Sequence, residues 1–257
     1  MSEVSSPAPP LSQDAFAMVA PSEIPSAETL SQIADYKLLD REGKELIFSD
    51  IISGPNAPDR TLVLFVRHFF CGSCQEYLQR LSDTITDEVL SSAPAPTSIA
   101  VIGCGEPSLI DYYAAETRCR WPMYCDPKRE LYKALGMINN WAVGPQPEYI
   151  SRSVPKLVVD GFYQVLSHLS TGQAFKAGPG EQQGGEFLFE KSESGKKRVT
   201  WCHRMQRSWG HAEISVMMEK KVDATNPPSG SLSFAPWVVV PAVAIASFAW
   251  YKGFITK

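Results

Sequence analysis

Two thiols three positions apart, in Cys71-Gly72-Ser73-Cys74, stand where a buried strand is expected to run into an amphipathic helix. The strand is Thr61-Leu62-Val63-Leu64-Phe65-Val66, a near-continuous apolar run of the kind buried on both faces of a sheet. The helix follows at once, with Tyr77, Leu78, Leu81, Ile85, Val89 and Leu90 recurring at three- and four-residue steps. A thiol at a helix N-terminus feels the positive end of the helix dipole and faces unsatisfied N–H groups. That environment favours the thiolate, the form that attacks disulfides and peroxides. The pattern therefore points to redox chemistry.

Two other readings fit the same residues. A CxxC can be half of a zinc site, but the other half would have to come from Cys119 and Cys125, or from Cys202 and His203, at spacings poor for a zinc knuckle. Two buried cysteines can also serve as small hydrophobes. In the redox reading Cys71 is the exposed, attacking thiol, and Cys74, one turn on and facing the core, resolves the sulfenate or mixed disulfide. Arg67 or His68 could hold the thiolate and orient a peroxide oxygen. Neighbours on a strand face opposite ways, so one of the two should point at the site. An arginine at a strand end also commonly caps carbonyls, and His68, His203 and His211 each read as structural. Gly184-Gly185 precedes a late strand, where it could let a substrate backbone approach closely; a bulge or turn explains the glycines equally well.

Elements that must position these residues alternate along the chain. Ser26 reads as the N-cap of a short helix carrying Leu30 and Ile33. Tyr36–Leu39 and Glu45–Phe48 flank the turn residues 40–44 as a hairpin, and a Gly/Pro/Asn loop over 53–60 leads to the buried strand. Ser98–Gly103 is a second buried strand, followed by Pro107 and a helix from Leu109 to Ala115. Trp121–Cys125 is a short third strand; Asp126-Pro127 then supply an N-cap and N1 proline for a helix over Arg129–Leu135, which Gly136 ends. A helical face of Leu157, Phe162, Val165 and Leu169 predicts a helix over 155–169, with a strand at 156–159 as the alternative. Gly184–Glu190 and Arg198–His203 form a hairpin, and a last amphipathic helix runs over His211–Lys220. Strands alternating with helices indicate an α/β sheet with parallel strands.

The 257 residues, 44% of them hydrophobic, suffice for one good core plus tails. Residues 1–25, rich in Ser, Pro and Ala, read as a disordered tail. Residues 26–222 form the folded domain and 223–233 a Pro/Ser/Gly/Asn linker. A net charge of −4 without a basic stripe argues against nucleic acid as a partner. Met1–Pro7 lacks the basic and apolar regions of a secretory signal, so the six cysteines are expected in a reducing, cytoplasmic compartment.

From Phe234 to Tyr251 no charged residue appears, and Trp237, Trp250 and Tyr251 resemble an interfacial aromatic belt. A helix over 234–251 would rise about 27 Å, enough to span a thin hydrocarbon core as a tail anchor in an intracellular membrane. An extra helix packed on the domain, or lying at a membrane interface, is the alternative.

Several segments resemble the peroxiredoxin-like AhpC/TSA antioxidant-enzyme proteins, specifically the peroxiredoxin-like 2 group: Phe65–Tyr77 around the dithiol, Cys125-Asp126-Pro127, Gln182–Gly185, His203-Arg204 and Gly210-His211-Ala212. The resemblance covers roughly residues 30–222. It implies an α/β thioredoxin-like three-layer sandwich, here with an added N-terminal β-hairpin, and a thiol-based peroxidase or reductase. It implies no cofactor and no metal, with thioredoxin or glutathione supplying reducing equivalents. Peroxiredoxins proper carry Pro-x-x-x-Thr/Ser-x-x-Cys. Counted back from Cys74, that frame holds Arg67 and Cys71; counted back from Cys71, it holds Leu64 and His68. Neither supplies the signature, so disulfide exchange stands beside peroxide reduction. The peroxiredoxin frame would also make Cys74, not Cys71, the attacker. A non-catalytic thioredoxin-fold scaffold, tethered by its tail, is the rival reading.

Overall fold

The computed structural model describes residues 19–55, 57–151 and 172–222. Every residue of Arg60–Phe65 is buried, and side chains alternate along this strand between two cores. Leu62 and Leu64 enter one, Val63 and Phe65 the other. An apolar run without polar alternation is thus the mark of a central strand covered on both faces.

Seven strands build one mixed sheet: β1 (Lys37–Leu39), β2 (Glu45–Ile47), β3 (Arg60–Phe65), β4 (Thr97–Gly103), β5 (Met123–Cys125), β6 (Gly185–Lys191) and β7 (Lys197–Arg204), in the order β2-β1-β5-β4-β3-β6-β7. β3, β4 and β5 are parallel; β6 runs antiparallel to β3 and β7 to β6. β1 pairs antiparallel with both β2 and β5. The described helices are α1 (Ala27–Ile33), α2 (Phe48–Ser53), α3 (Gly72–Thr84), α4 (Asp87–Ser91), α5 (Ile110–Thr117), α6 (Glu130–Ala134) and α7 (Ile214–Val222). One core takes α3, α5 and the start of α7; the other takes α1, α2 and α6. A β3-α3-β4 unit, a β6-β7 hairpin and a closing helix, with β3 between β4 and β6, make this a mixed α/β thioredoxin-like fold.

Several elements differ from their sequence reading. Phe48 is not in the hairpin: it is fully buried, edge-on to Phe189 at 5.5 Å, and it starts α2 inside the stretch expected to continue the strand. The long helix after the dithiol is two helices. Ile85 leaves helical geometry while staying buried, and the Thr86 side chain caps α4 by accepting from the Val89 N–H at 3.3 Å. Asp126 is not the N-cap residue of α6, which is Arg129 at φ +60°. The Asp126 carboxylate reaches across to accept from the Glu130 and Leu131 N–H groups at 3.1 and 2.9 Å, so it satisfies the orphan donors from outside the helix. The last helix starts at Ile214, not His211.

Residues 19–25, grouped in the sequence with the tail, are tied to β7. Buried Arg204 donates to the carbonyls of Ala20 (3.1 Å) and Glu23 (2.7 Å), and the Arg204 N–H to that of Pro21 at 2.8 Å. Residues 1–18, the helix expected over 155–169, the linker and the 234–251 segment lie outside the described residues. Among the described residues no helix is long and apolar enough to cross a membrane.

Candidate active site

β3 ends at Phe65, and the chain then crosses the top of the sheet to reach α3 at Gly72. This crossing is fixed from several sides. The Tyr132 hydroxyl on α6 lies 2.7 Å from the Val66 carbonyl and 3.0 Å from that of Ile102. The Cys104 thiol donates to the Arg67 carbonyl at 2.7 Å. The Phe69 N–H donates to the Ala177 carbonyl, and Gln75 of α3 donates its amide to the Phe69 carbonyl, both at 3.0 Å. A connection held this way presents its side chains in fixed directions.

Cys71 is the N-cap residue of α3, and its side chain makes no capping bond. Its sulfur instead meets Arg67 Nη1 at 3.3 Å and the Ser73 hydroxyl at 3.2 Å. Arg67 is itself buried, its Nε donating to the Gln182 carbonyl at 3.2 Å and its Nη2 to that of Gly180. Among the described residues no carboxylate pairs with this guanidinium. A buried cation requires an anion or strong acceptors, and Cys71 is the ionisable acceptor supplied. The Cys71 thiol is accordingly held well below its usual range. The hydrogen bond from Cys74 contributes most, followed by the charge of Arg67, against the opposing effect of burial.

Cys74 is fully buried and Cys71 is only 4% exposed, so both lie in the same core and the expectation of an exposed Cys71 is not met. Burial pushes the Cys74 thiol well up, and the neighbouring Cys71 sulfur adds to the shift. Around Cys74 are the Arg67 N–H at 3.5 Å and His211 Nε2 at 3.1 Å. His211 Nδ1 lies 2.6 Å from Glu186 Oε1, and the His211 ring stacks on Tyr77 at 4.2 Å and 7°. Glu186, on β6, also accepts from the Ala212 N–H at 3.4 Å.

The structure thus brings Arg67, Cys71 and Cys74 together and adds two residues that spacing could not indicate. Nothing in the sequence links Glu186 and His211 to position 74; the pairing of β6 with β3 and the turn after β7 do. His211, expected to be structural, lies against the Cys74 sulfur. His68 does not take the role of Arg67. Its ring makes no hydrogen bond to a described residue, and burial lowers its pKa to about 4, with nearby Cys71 opposing the shift and Arg67 adding to it. Gly184 and Gly185 are buried against this chain's own backbone: a Cβ would lie 2.0 Å from the Phe65 carbonyl oxygen at Gly184 and 2.6 Å from that of His203 at Gly185. Close packing of β6 between its neighbours accounts for both glycines.

The zinc sets do not assemble. Among the described residues no group of three or more His, Cys, Asp or Glu is placed to hold a metal. Cys104 and Cys119 are pushed up by burial to about 12 and about 11, as expected of packed thiols.

A model described as AhpC/TSA antioxidant enzyme matches residues 78–207, just over half the chain. The chain belongs to that family. Among proteins similar to it, bovine (Bos taurus) peroxiredoxin-like 2C is 26% identical over 230 residues, 86% of this chain and 95% of that protein. Human (Homo sapiens) peroxiredoxin-like 2C is 29% identical over 216 residues, 82% and 90% of the two chains. The crystal structure of peroxidoxin BcpB from Mycobacterium tuberculosis superposes with a TM-score of 0.43 at 13% identity, covering 75% of this chain and 96% of that one. The AhpC/TSA match begins at Leu78, beyond the dithiol. Family membership therefore rests on residues C-terminal to Cys74, and the roles of the two sulfurs rest on their own surroundings.

Proposed function

We propose that this AhpC/TSA-family protein is a thiol-dependent oxidoreductase that reduces hydroperoxides, or disulfides, by cycling Cys71 and Cys74 between dithiol and disulfide. One observation carries the reading: the buried Arg67 guanidinium donates to the Cys71 sulfur and pairs with no described carboxylate. A buried cation is stabilised by an anionic neighbour, and a Cys71 thiolate supplies one.

With a hydroperoxide, the Cys71 thiolate attacks the distal oxygen. The O–O bond breaks, an alcohol leaves after taking up a proton, and Cys71 becomes a sulfenic acid. Cys74 then displaces the sulfenic hydroxyl as water, forming the disulfide. A dithiol reductant of the thioredoxin type, or glutathione, returns both sulfurs to thiols by exchange. With a disulfide substrate, Cys71 forms the mixed disulfide and Cys74 resolves it. The absent Pro-x-x-x-Thr/Ser-x-x-Cys signature leaves Arg67 and the α3 N-terminus as the groups that steady charge on oxygen.

The test is turnover by the full chain with hydrogen peroxide or an alkyl hydroperoxide, and separately with a small disulfide, in the presence of excess dithiol reductant. Catalytic consumption of either, lost in Cys71→Ser, supports the reading. Equal activity in wild type and Cys71→Ser overturns it.

A further inference from the structure

Cys74 is buried, and a thiol shielded from water has no ready route for losing its proton. Yet closing a disulfide requires Cys74 as thiolate, and its sulfur has a second partner besides Cys71. His211 Nε2 lies 3.1 Å away on the side facing the turn after β7. A carboxylate accepts, so the 2.6 Å contact with Glu186 Oε1 places a proton on Nδ1 and turns Nε2 towards the Cys74 sulfur. The ring cannot swing away: Tyr77 stacks on it, the His211 N–H donates to the Tyr149 hydroxyl at 3.2 Å, and His203 Nε2 contacts the Gly210 carbonyl at 2.7 Å.

We infer that His211, oriented by Glu186, is the catalytic base that takes the Cys74 proton when the disulfide closes and supplies one to Cys74 when the disulfide is reduced. This rests on the dithiol cycle proposed above. The Cys74 proton has two acceptors, and the cycle uses both. Before peroxide arrives it is shared with the Cys71 sulfur and steadies that thiolate. Once Cys71 is a sulfenic acid it no longer attracts this proton as a thiolate does, and the proton passes to His211 Nε2. The Cys74 thiolate then attacks Cys71 Sγ, the S–S bond forms as the S–O bond breaks, and the departing hydroxide takes the proton from the imidazolium to leave as water. Two thiols are oxidised and one peroxide reduced, and His211 ends neutral. On reduction by a dithiol, the first reductant thiol gives its proton to His211 as its sulfur attacks Cys71 Sγ. The S–S bond breaks, Cys74 leaves as thiolate, and the ring passes that proton to it. The second reductant thiol then releases Cys71 by exchange.

The groups facing the His211 ring are Glu186 from β6, Cys74 and Tyr77 from α3, and Tyr149 from the segment after α6; Glu213 lies two residues along. Arg67 and Cys71 stand beyond Cys74. Burial holds Tyr77 and Tyr149 neutral by pushing their hydroxyls up. Glu186 is a positioning residue: it touches neither sulfur and acts by fixing which ring nitrogen is free.

The experiment uses the full reduced chain and one equivalent of hydrogen peroxide, with rapid quenching and mass readout of Cys71 sulfenic acid and of the disulfide. His211→Asn keeps a donor near Glu186 and deletes the Nε2 acceptor. It is expected to form sulfenic acid at the wild-type rate and to close the disulfide about 100-fold more slowly, the size of a general-base contribution. Closure by His211→Asn at the wild-type rate overturns the inference. Absence of both products in the wild type instead overturns the underlying dithiol cycle. The unaltered protein gives an independent reading that needs no folded variant. With His211 as base, closure does not require solvent hydroxide; a rate rising tenfold per pH unit from pH 7.5 to 9 means hydroxide removes the proton, and the inference fails. Glu186→Gln should slow closure and make it rise with hydroxide concentration, a change that a merely structural carboxylate would not produce.

Discussion

Arg67 Nη1 stands 3.3 Å from Cys71 Sγ, and the other edges of the same guanidinium are bound to the carbonyls of Gln182 and Gly180. The cation is therefore fixed by backbone from a different part of the chain before any substrate arrives. Three residues separate Arg67 from Cys71, and the turn between them closes with the Cys71 N–H donating to the His68 carbonyl at 3.0 Å. This geometry lets a short sequence carry both the thiolate and its counter-charge.

Replacing that charge is expected to raise the Cys71 pKa. Hydrogen bonds to charged groups contribute about 1.5–3 kcal/mol, so Arg67→Met should lower alkylation of Cys71 at pH 7 by roughly 10- to 100-fold. The check is the pH profile of iodoacetamide labelling at Cys71 in the two proteins. An unchanged profile would mean that Arg67 serves only the carbonyls it binds.

His68 should mark the acid limb of stability. Its pKa falls from 6.5 to about 4 on folding, chiefly through burial of the ring. A base depressed in the folded state contributes stability that is present above pH 6.5 and lost as the pH falls from 6.5 towards 4, because the unfolded chain takes up the proton first. Between pH 7 and pH 4 this removes on the order of 1–3 kcal/mol, the upper figure belonging to a fully buried ring. Urea unfolding at the two pH values should show the loss in the wild type and a smaller one in His68→Gln. Equal losses would clear His68 of this role.

Gly184 should prove structural. An added methyl would meet the Phe65 carbonyl oxygen at 2.0 Å, and that atom is backbone in the most buried strand of the sheet. Gly184→Ala is expected to destabilise the domain at or above the upper end of the usual 1–3 kcal/mol for overpacking. The measurement is the thermal midpoint. A variant with wild-type stability but weakened substrate saturation would restore the substrate-contact reading of these glycines.

Much of this arrangement is legible in the residues themselves. The apolar run before Cys71 predicts a central strand, and Arg60–Phe65 is buried throughout. Ser26 predicts a cap and accepts from the Thr29 N–H at 3.1 Å. Arg67, four residues before Cys71, is close enough in sequence to be proposed as its partner. Glu186 and His211 are not, because their relation to Cys74 passes through pairing of β6 with β3 and a turn after β7, long-range contacts that leave no local pattern. The break at Ile85 is hidden for another reason. A buried residue between two helices keeps the apolar spacing of one helix, and only the Thr86 cap marks the interruption.

The central claim is that Cys71, not Cys74, is the attacking sulfur. Cys74→Ser and Cys71→Ser, each reduced and exposed to one equivalent of hydrogen peroxide, should be compared by trapping sulfenic acid with a dimedone probe and mapping it by peptide mass. Rapid labelling is predicted at residue 71 in Cys74→Ser, with slow or no labelling at residue 74 in Cys71→Ser. Rapid labelling of Cys74 with an inert Cys71 would contradict the claim and exchange the roles of the two sulfurs.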